Sequence, residues 1–588
     1  MRQQYYALLI ILFTSAQLHA QYYFRGEVKD AKDNPLALVR LRVHSTNSFY
    51  YSGSTGAFGI PSAVIQDTIT FSLNGYDERK LVINAKDYQT IILKPSININ
   101  VSQKKKLLSI TIDKEPSGLK WWAASGETYS QQVENMFNDT KRFATTGFAL
   151  NIDKASYSNI RRFINLGGEV PYDAVRIEEM LNYFPVPYKV PGGDSTFSFE
   201  QQVTDCPWQQ QNKLMFLRMH AKKSNYDHLP PGNFVFLIDI SGSMDLPNRL
   251  PLLKSAFRML VQNLRPVDTI SIVAYGGTVG IMLQPTSGSE QQKIMNVIDS
   301  LQAGGETPGE SAIRTAYTLA QKKFIKGGNN RVILATDGDF NVGEVSEEAL
   351  MELIVQKQQT GIYLTCLGVG MGNYKDSKLE ILAKKGNGNF AYLDHVMEAE
   401  KVLVTELMQT LYSAANETFL KVTFHENAVK RYRLIGYDNR KDMIADSTSS
   451  VEGGEIGSGH TVTAVFEIEP ADTIQNIQSP LASVILSFQK PGSAKKVEQT
   501  FSYINNYKTL HAVDSNYRFS TAVVLFGLLL KRSPYVAGIN WDLLQSLLAT
   551  CVNTNDYWQN EMKLLAGKAR SIYVPVKKKK AARKKKTR

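Results

Sequence analysis

The chain has 588 residues, 43% hydrophobic and 21% charged, a composition that excludes a disordered or fibrous protein and a length that calls for three to five domains. The net charge of +12 is misleading: the last twelve residues, "KKKKAARKKKTR" from Lys577, carry nine Lys or Arg and no acid, and without them and Arg2 the remainder is near +2. A nucleic-acid-binding surface built on net charge is thereby excluded.

Residues 1–20 read as a secretory signal. Arg2 gives the positive start, "YYALLIILFTSA" (Tyr5 to Ala16) the apolar stretch, and Ala20 the small residue before a cut at Gln21. That stretch is short for a membrane span, and no Cys follows closely enough to carry a lipid. The expected location is therefore outside the cytoplasm, in the periplasm or at the cell envelope or surface. Cys206, Cys366 and Cys551 show no CxxC or zinc spacing. Cys366 reads as a buried strand residue, and a Cys206–Cys551 disulfide is compatible with export without being required.

Residues 21–97 alternate short strands with turn signals such as "KDNP", "SGSTGAFG" and "LNGYD", the pattern of a small β-sandwich. Gly26 with Val28, "NPLALVRLRV", "STGAFGI" and "FSLNGYDERKLVI" resemble the carboxypeptidase regulatory-like domain, a transthyretin-like sandwich. The resemblance implies an accessory module and no peptidase. His395 and Glu398 do have H-x-x-E spacing, with His511 further on, but no strand-and-loop context supports a zinc site.

Residues 98–137 are mixed and polar and read as a linker, with Trp121 and Trp122 as anchors. In residues 138–231, "FALNIDKASYSNIRRFINLGGEVPYDAVRIEEMLNYF" predicts a strand and two helices. Ser156 or Ser158 is expected to cap the first helix, and Arg176 to Phe184 forms the second. Two strand-like segments follow.

Residues 232–414 alternate strands and helices. Apolar strands stand at "NFVFLID", "TISIVAYG", "RVILATDG", "IYLTCLGVG" and "NFAYLD", with amphipathic stretches between them. This calls for a doubly wound, mostly parallel sheet with helices on both faces. Residues 415–575 return to strands and end in three helices, near Tyr517 to Leu530, Trp541 to Cys551 and Tyr557 to Ala569. The run "STAVVLFGLLL" (Ser520 to Leu530) has the length of a buried helix, so no transmembrane span is expected. The basic tail, 576–588, is either a solvated end or an electrostatic contact to anionic membrane or envelope polymer.

The segment "NFVFLIDISGSMD" (Asn233 to Asp245) carries the chemistry. A fully apolar strand ends in Asp239, and Ser241 and Ser243 follow at two-residue steps. Thr307 in "AGGETPGESAI" lies in a loop before a helix, and Asp337 ends the strand "RVILATDGD". All five would face the carboxyl edge of the sheet, where open α/β folds bind ligands. Here the chain resembles the von Willebrand factor type A domain, and the five residues match its metal-ion-dependent adhesion site.

Oxygen donors suit a hard divalent cation: Mg²⁺, or Mn²⁺ or Ca²⁺. Ser241 and Ser243 would bind directly, Thr307 directly or through water. The resemblance implies that Asp239 and Asp337 act mainly through bound waters. A shell dominated by neutral oxygens leaves the ion short of negative charge, so a partner's Asp or Glu is the expected ligand. The bland alternative, in which Asp239 and Ser241 only cap a helix or turn, leaves Thr307 and Asp337 unexplained.

Three functions compete. The first is an exported, metal-dependent protein-binding module for adhesion or assembly; the second is an envelope scaffold whose metal only stabilises it. The third is a hydrolase, disfavoured because no His lies near the site residues in sequence and "DISGSM" is not a nucleophile elbow. The chain is therefore expected not to be an enzyme. "FALNIDKASYSNIRRFINLGGEVPYDAVRIEEMLNYF" with "CPW", "YRLIGYDNR", "GGEIGSGHTVTAVFEI" and "NYRFSTAVVLFGLLLKRSPY" resemble the flanking regions of a family of bacterial von Willebrand A proteins, over about residues 138–570. Because domain termini often lie close together, strands from Thr196 to His220 are expected to pair with strands from Phe419 to Ile504, inserting the metal domain into a β-sandwich.

Overall fold

The computed structural model describes residues 22–94 except 32, 37–38, 47–48, 54, 63 and 74–75, together with residues 127–574 except 128, 131–132, 151–152, 226–227, 277, 306–308, 339–346, 371–374, 438–452, 472–479 and 494. The signal segment, the basic tail, most of the linker with Trp121 and Trp122, and Thr307 lie outside the described residues. The chain divides into two units, Met1–Gly118 and Leu119–Arg588.

The first unit is a β-sandwich of β1 (Tyr22–Asp30), β2 (Arg40–Val43), β3 (Phe49–Tyr51), β4 (Ala57–Ser62), β5 (Gln66–Ser72), β6 (Arg79–Asn84) and β7 (Tyr88–Leu93). One sheet runs β4-β1-β7 and the other β3-β2-β5-β6. Alternation at period two sends Phe24, Val28, Leu41, Val43, Ile60, Ile69 and Phe71 into one shared core.

The second unit begins with β8 (Asn138–Asp139), β9 (Thr145–Ala149), α1 (Ala155–Asn165), α2 (Ile177–Tyr183), β10 (Phe197–Asp205) and β11 (Lys213–Ala221). The α/β part then follows. Its elements are β12 (Gly232–Asp239), α3 (Leu250–Gln262), β13 (Thr269–Gly276), β14 (Thr278–Ser287), α4 (Gln291–Ser300), α5 (Gly309–Lys322), β15 (Asn329–Thr336), α6 (Glu347–Gln359), β16 (Ile362–Val369), α7 (Asp376–Lys385) and β17 (Phe390–Leu393). A closing segment comprises α8 (Val396–Glu400), a π-helical turn over Lys401–Thr405, and α9 (Leu407–Leu411). After it come β18 (Ser413–Phe424), β19 (Val429–Ile435), β20 (Gly454–Gly457), β21 (Thr461–Pro470), β22 (Pro480–Gln489), β23 (Lys496–Ile504), α10 (Ser515–Leu530), α11 (Trp541–Cys551) and α12 (Tyr557–Tyr573).

The central sheet has the order β14-β13-β12-β15-β16-β17. Its strands are parallel except β14, which pairs antiparallel with β13. Alternate residues of β12 serve the two faces. Phe234, Phe236 and Ile238 pack with α3, α4 and the closing segment, whereas Val235 and Leu237 pack with α5, α6 and α7. The fold is the doubly wound sheet that the strand–helix alternation predicts. The strand β14 escaped that reading: it is an edge strand containing Pro285, with Leu283 and Thr286 its buried positions, so it lacks a continuous apolar run.

Strands from both sides of the α/β part build a second sandwich. One of its sheets runs β10-β11-β21-β19-β8; in the other, β20-β18-β22-β23, β9 also pairs with β18. β11 pairs antiparallel with β21, from Lys213 opposite Ile468 to His220 opposite Thr461. The pairing expected of residues 196–220 with residues 419–504 is therefore present. Helices α1, α2, α10, α11 and α12 form a further core. Helix α10 is buried from Phe519 to Leu530, so its hydrophobicity serves that core. No helix of the described residues is long and apolar enough to cross a membrane.

Two local expectations are corrected, and the pairing of Cys206 with Cys551, which the sequence leaves open, is decided. Helix α1 starts after Lys154 without a side-chain cap, and Ser156 instead donates to the Ala174 carbonyl and accepts from the Arg176 amide. Residues 133–137, read as linker, include Asn135, whose amide donates to the carbonyls of Leu434, Gly436 and Tyr437. Cys206 and Cys551 form no disulfide: both are buried thiols, and Cys206 faces Glu467 at 3.8 Å.

Candidate metal centre at the carboxyl edge of the sheet

All eight residues of β12 are buried, so the strand carries its last side chain, Asp239, into a site with no exposure of its own. The parallel register sets Ile238 opposite Ala335 of β15, which brings Thr336 and Asp337 alongside Asp239. Asp239 Oδ1 accepts the Ser241 amide at 2.9 Å, and Oδ2 accepts Thr336 Oγ1 at 2.8 Å. Burial pushes the Asp239 carboxyl up to about 6, against the lowering effect of its bonds to Ser241 and Thr336. The Thr336 hydroxyl also accepts the Gly338 amide at 3.1 Å, tying the two strand ends together.

Beyond Asp239 the chain makes a short 3₁₀ turn over Gly242–Asp245 that buries Met244 in the core below. This anchor leaves Ser243 exposed while Ser241 stays buried. Their hydroxyl oxygens lie 3.1 Å apart, and Ser243 Oγ donates to Asp337 Oδ2 at 2.7 Å. Arg249 Nη1 reaches the same Oδ2 at 2.5 Å. Four of the five expected residues, Asp239, Ser241, Ser243 and Asp337, therefore converge. For Thr307 only its approach is described: the Gly304 amide donates to the Ile240 carbonyl at 2.7 Å, and the Gly242 amide donates to the Gly305 carbonyl at 3.0 Å.

The donor set fits a hard cation. Each of the four side chains offers oxygen, and adjacent oxygens around an octahedral ion with bonds of about 2.1 Å lie about 3 Å apart. The 3.1 Å between the two serine hydroxyls matches that edge. Sequence reasoning missed Thr336 and Arg249. Thr336 directly precedes Asp337 and was legible as the next strand position; Arg249 carries no pattern that assigns it to the site. The H-x-x-E spacing has another use: the Glu398 amide donates to His395 Nδ1 at 3.0 Å as a helix cap, and the Glu398 carboxylate is bound to Arg161 and Tyr183.

Two buried clusters join the α/β part to its surroundings. Arg161 of α1 reaches Asp394 at 2.5 Å, Glu398 at 2.6 Å and Glu561 of α12 at 3.0 Å. Lys154 donates to Glu406 at 2.8 Å, and Lys401 donates to it at 2.6 Å. Beside the closing segment lies a cavity of about 740 Å³ lined by Lys154, Phe184, Tyr188, Pro266, Leu407 and His460 among others.

The family model described as von Willebrand factor type A domain matches residues 234–339. One described as von Willebrand factor matches 123–216, and one described as Uncharacterized protein YfbK, C-terminal, matches 409–572. The chain is 34% identical over 438 residues to the uncharacterized protein YfbK of Escherichia coli (strain K12), covering 71% of this chain and 76% of that protein. It is 27% identical over 275 residues to inter-alpha-trypsin inhibitor heavy chain H4 of Homo sapiens, covering 44% of this chain and 28% of the relative. Among solved structures, von Willebrand factor type A from Catenulispora acidiphila aligns with a TM-score of 0.38 at 14% identity, over 66% of this chain and 91% of its own.

Proposed function

Because the chain belongs to the YfbK family and contains a von Willebrand factor type A domain, we propose that it is an exported binding protein that captures an Asp or Glu of a protein partner through a divalent cation. Domains of this type typically mediate protein–protein interaction and adhesion, and commonly bind a divalent metal. Asp239, Ser241, Ser243 and Asp337 would hold the ion, with Thr307 as the fifth residue. Mg²⁺ is the first choice, with Mn²⁺ or Ca²⁺ as alternatives. The bound ion would supply a coordination position that an incoming carboxylate completes.

One observation carries this reading: the two serine hydroxyls stand 3.1 Å apart with Ser243 bonded to Asp337, at the open edge of the sheet. The protein's own residues prepare the site. The bond from Thr336 orients Asp239, the Met244 anchor holds the serine turn, and the buried strand ends exclude water from behind. Export rests on the signal-like residues 1–20, the accessory role of residues 21–97 on their resemblance, and envelope contact on the basic tail.

The closing segment offers a route for a response. It leads from β17 to β18 of the second sandwich and runs beside the 740 Å³ cavity. Partner capture would shift this segment against the sandwich. The test of function is a pull-down from cell-envelope extract with Mg²⁺ or EDTA, using wild type and Asp239→Ala. Capture that is reversed by EDTA and lost in Asp239→Ala is expected; capture indifferent to both sinks the reading.

A further inference from the structure

Arg249 is 6% exposed, and its Nη1 donates to Asp337 Oδ2 at 2.5 Å and to the Ser243 carbonyl at 2.9 Å. The position is built for it. Gly370, just past β16, has φ +79°, and a Cβ there would come within 2.5 Å of Arg249 Nε and 2.9 Å of its Cγ. A side chain at position 370 would thus evict the arginine. The Tyr392 hydroxyl bonds to the Gly370 carbonyl and fixes that backbone. The carboxylate that the cation site needs just past β15 is therefore already shared with a guanidinium charge.

We infer that Arg249 is the internal counter-cation of the divalent-cation site, an inference that rests on the function proposed above: it weakens the site for an ion alone and couples ion uptake to capture of an anion. The carboxylates of Asp239 and Asp337 are the negative charges on hand to draw a divalent ion to the site. With Arg249 in contact, they attract the ion less, and the loaded site keeps an excess positive charge that a partner's carboxylate removes. Ion and carboxylate should then each tighten the binding of the other. The guanidinium also bridges Asp337 to the Ser243 carbonyl, so its charge acts on both halves of the site.

Mn²⁺ binding to the full-length protein, followed by electron paramagnetic resonance with and without sodium acetate, tests this. Wild type should bind Mn²⁺ weakly, and acetate should tighten the binding. Arg249→Met should bind Mn²⁺ about tenfold more tightly without acetate, with the acetate effect reduced. Arg249→Lys, which keeps the charge, should stay near wild type. Near-ultraviolet circular dichroism verifies folding, and Arg249→Gln replaces Arg249→Met if the latter does not fold. Equal Mn²⁺ affinity and equal acetate coupling in wild type and the neutral variant, both lost in Asp239→Ala, would overturn the role of Arg249 and leave the cation site standing. If none of the proteins bound Mn²⁺ better than Asp239→Ala, the cation site itself would fall, and this inference with it.

Discussion

Ser243 Oγ lies 2.7 Å from Asp337 Oδ2, although 94 residues separate them in sequence. The contact exists because β12 and β15 are parallel neighbours whose chains leave the sheet at the same edge. Asp239 stands between them, held by Ser241 and Thr336. Replacing it by Ala should weaken Mn²⁺ binding at least about tenfold while leaving the fold intact. Titration followed by electron paramagnetic resonance or calorimetry measures this, and equal affinity in Asp239→Ala and wild type would refute the site.

The proposed cation site should be pH-dependent. Burial raises the Asp239 carboxyl from 3.8 to about 6. Such a group binds its proton more tightly folded than unfolded. Its contribution to stability is therefore present at low pH and fades as pH rises between about 4 and 6 in the ion-free protein. Ion binding requires the deprotonated form, so Mn²⁺ affinity should fall about tenfold per pH unit below pH 6 and level off above it. A flat affinity from pH 5 to 7.5 would show that Asp239 does not compete for the ion.

Legibility followed burial. Strands β12, β13, β15 and β16 were visible because strands covered on both faces are nearly continuous apolar runs. Their ends place Asp239, Ser241, Ser243 and Asp337 at one edge. The edge strand β14 was not visible, because one covered face leaves only scattered buried residues. Ser156 looked like a helix cap, but its hydroxyl is taken by Ala174 and Arg176, contacts that no local pattern encodes. Arg249 was illegible for the same reason: its partner Asp337 is 88 residues away, and a lone arginine in a loop reads as solvated charge.

The Arg161 cluster should dominate the stability of the junction between the helices and the α/β part. Its guanidinium is buried and meets Asp394 just past β17, Glu398 of α8 and Glu561 of α12. Arg161→Met would leave these carboxylates without their shared cation, at a cost of about 3–5 kcal/mol. Urea unfolding should show a lower midpoint for the transition that involves α1 and α12. A midpoint unchanged from wild type would mean that the cluster adds nothing beyond its own desolvation.

The closing segment should be governed by Glu406. Although burial alone would raise its carboxyl, Lys154 and Lys401 lower it to about 2. A depressed carboxyl contributes stability above its unfolded value near 4.5 and loses it as pH falls toward 2. The two lysines reach it from different places, one just before α1 and one within the π-helical turn, so the carboxylate fastens the segment to the body. Glu406→Gln would leave two buried ammonium groups facing a neutral amide, destabilising the segment by about 3 kcal/mol. Amide hydrogen exchange over residues 401–411 should then accelerate, while β12 and β15 keep wild-type protection. If partner capture works by shifting this segment, the same variant should also alter partner affinity, with Mn²⁺ affinity in the absence of partner unchanged. Faster exchange with partner affinity unaltered would separate the segment from the binding response and confine its role to holding the two sides of the cavity together.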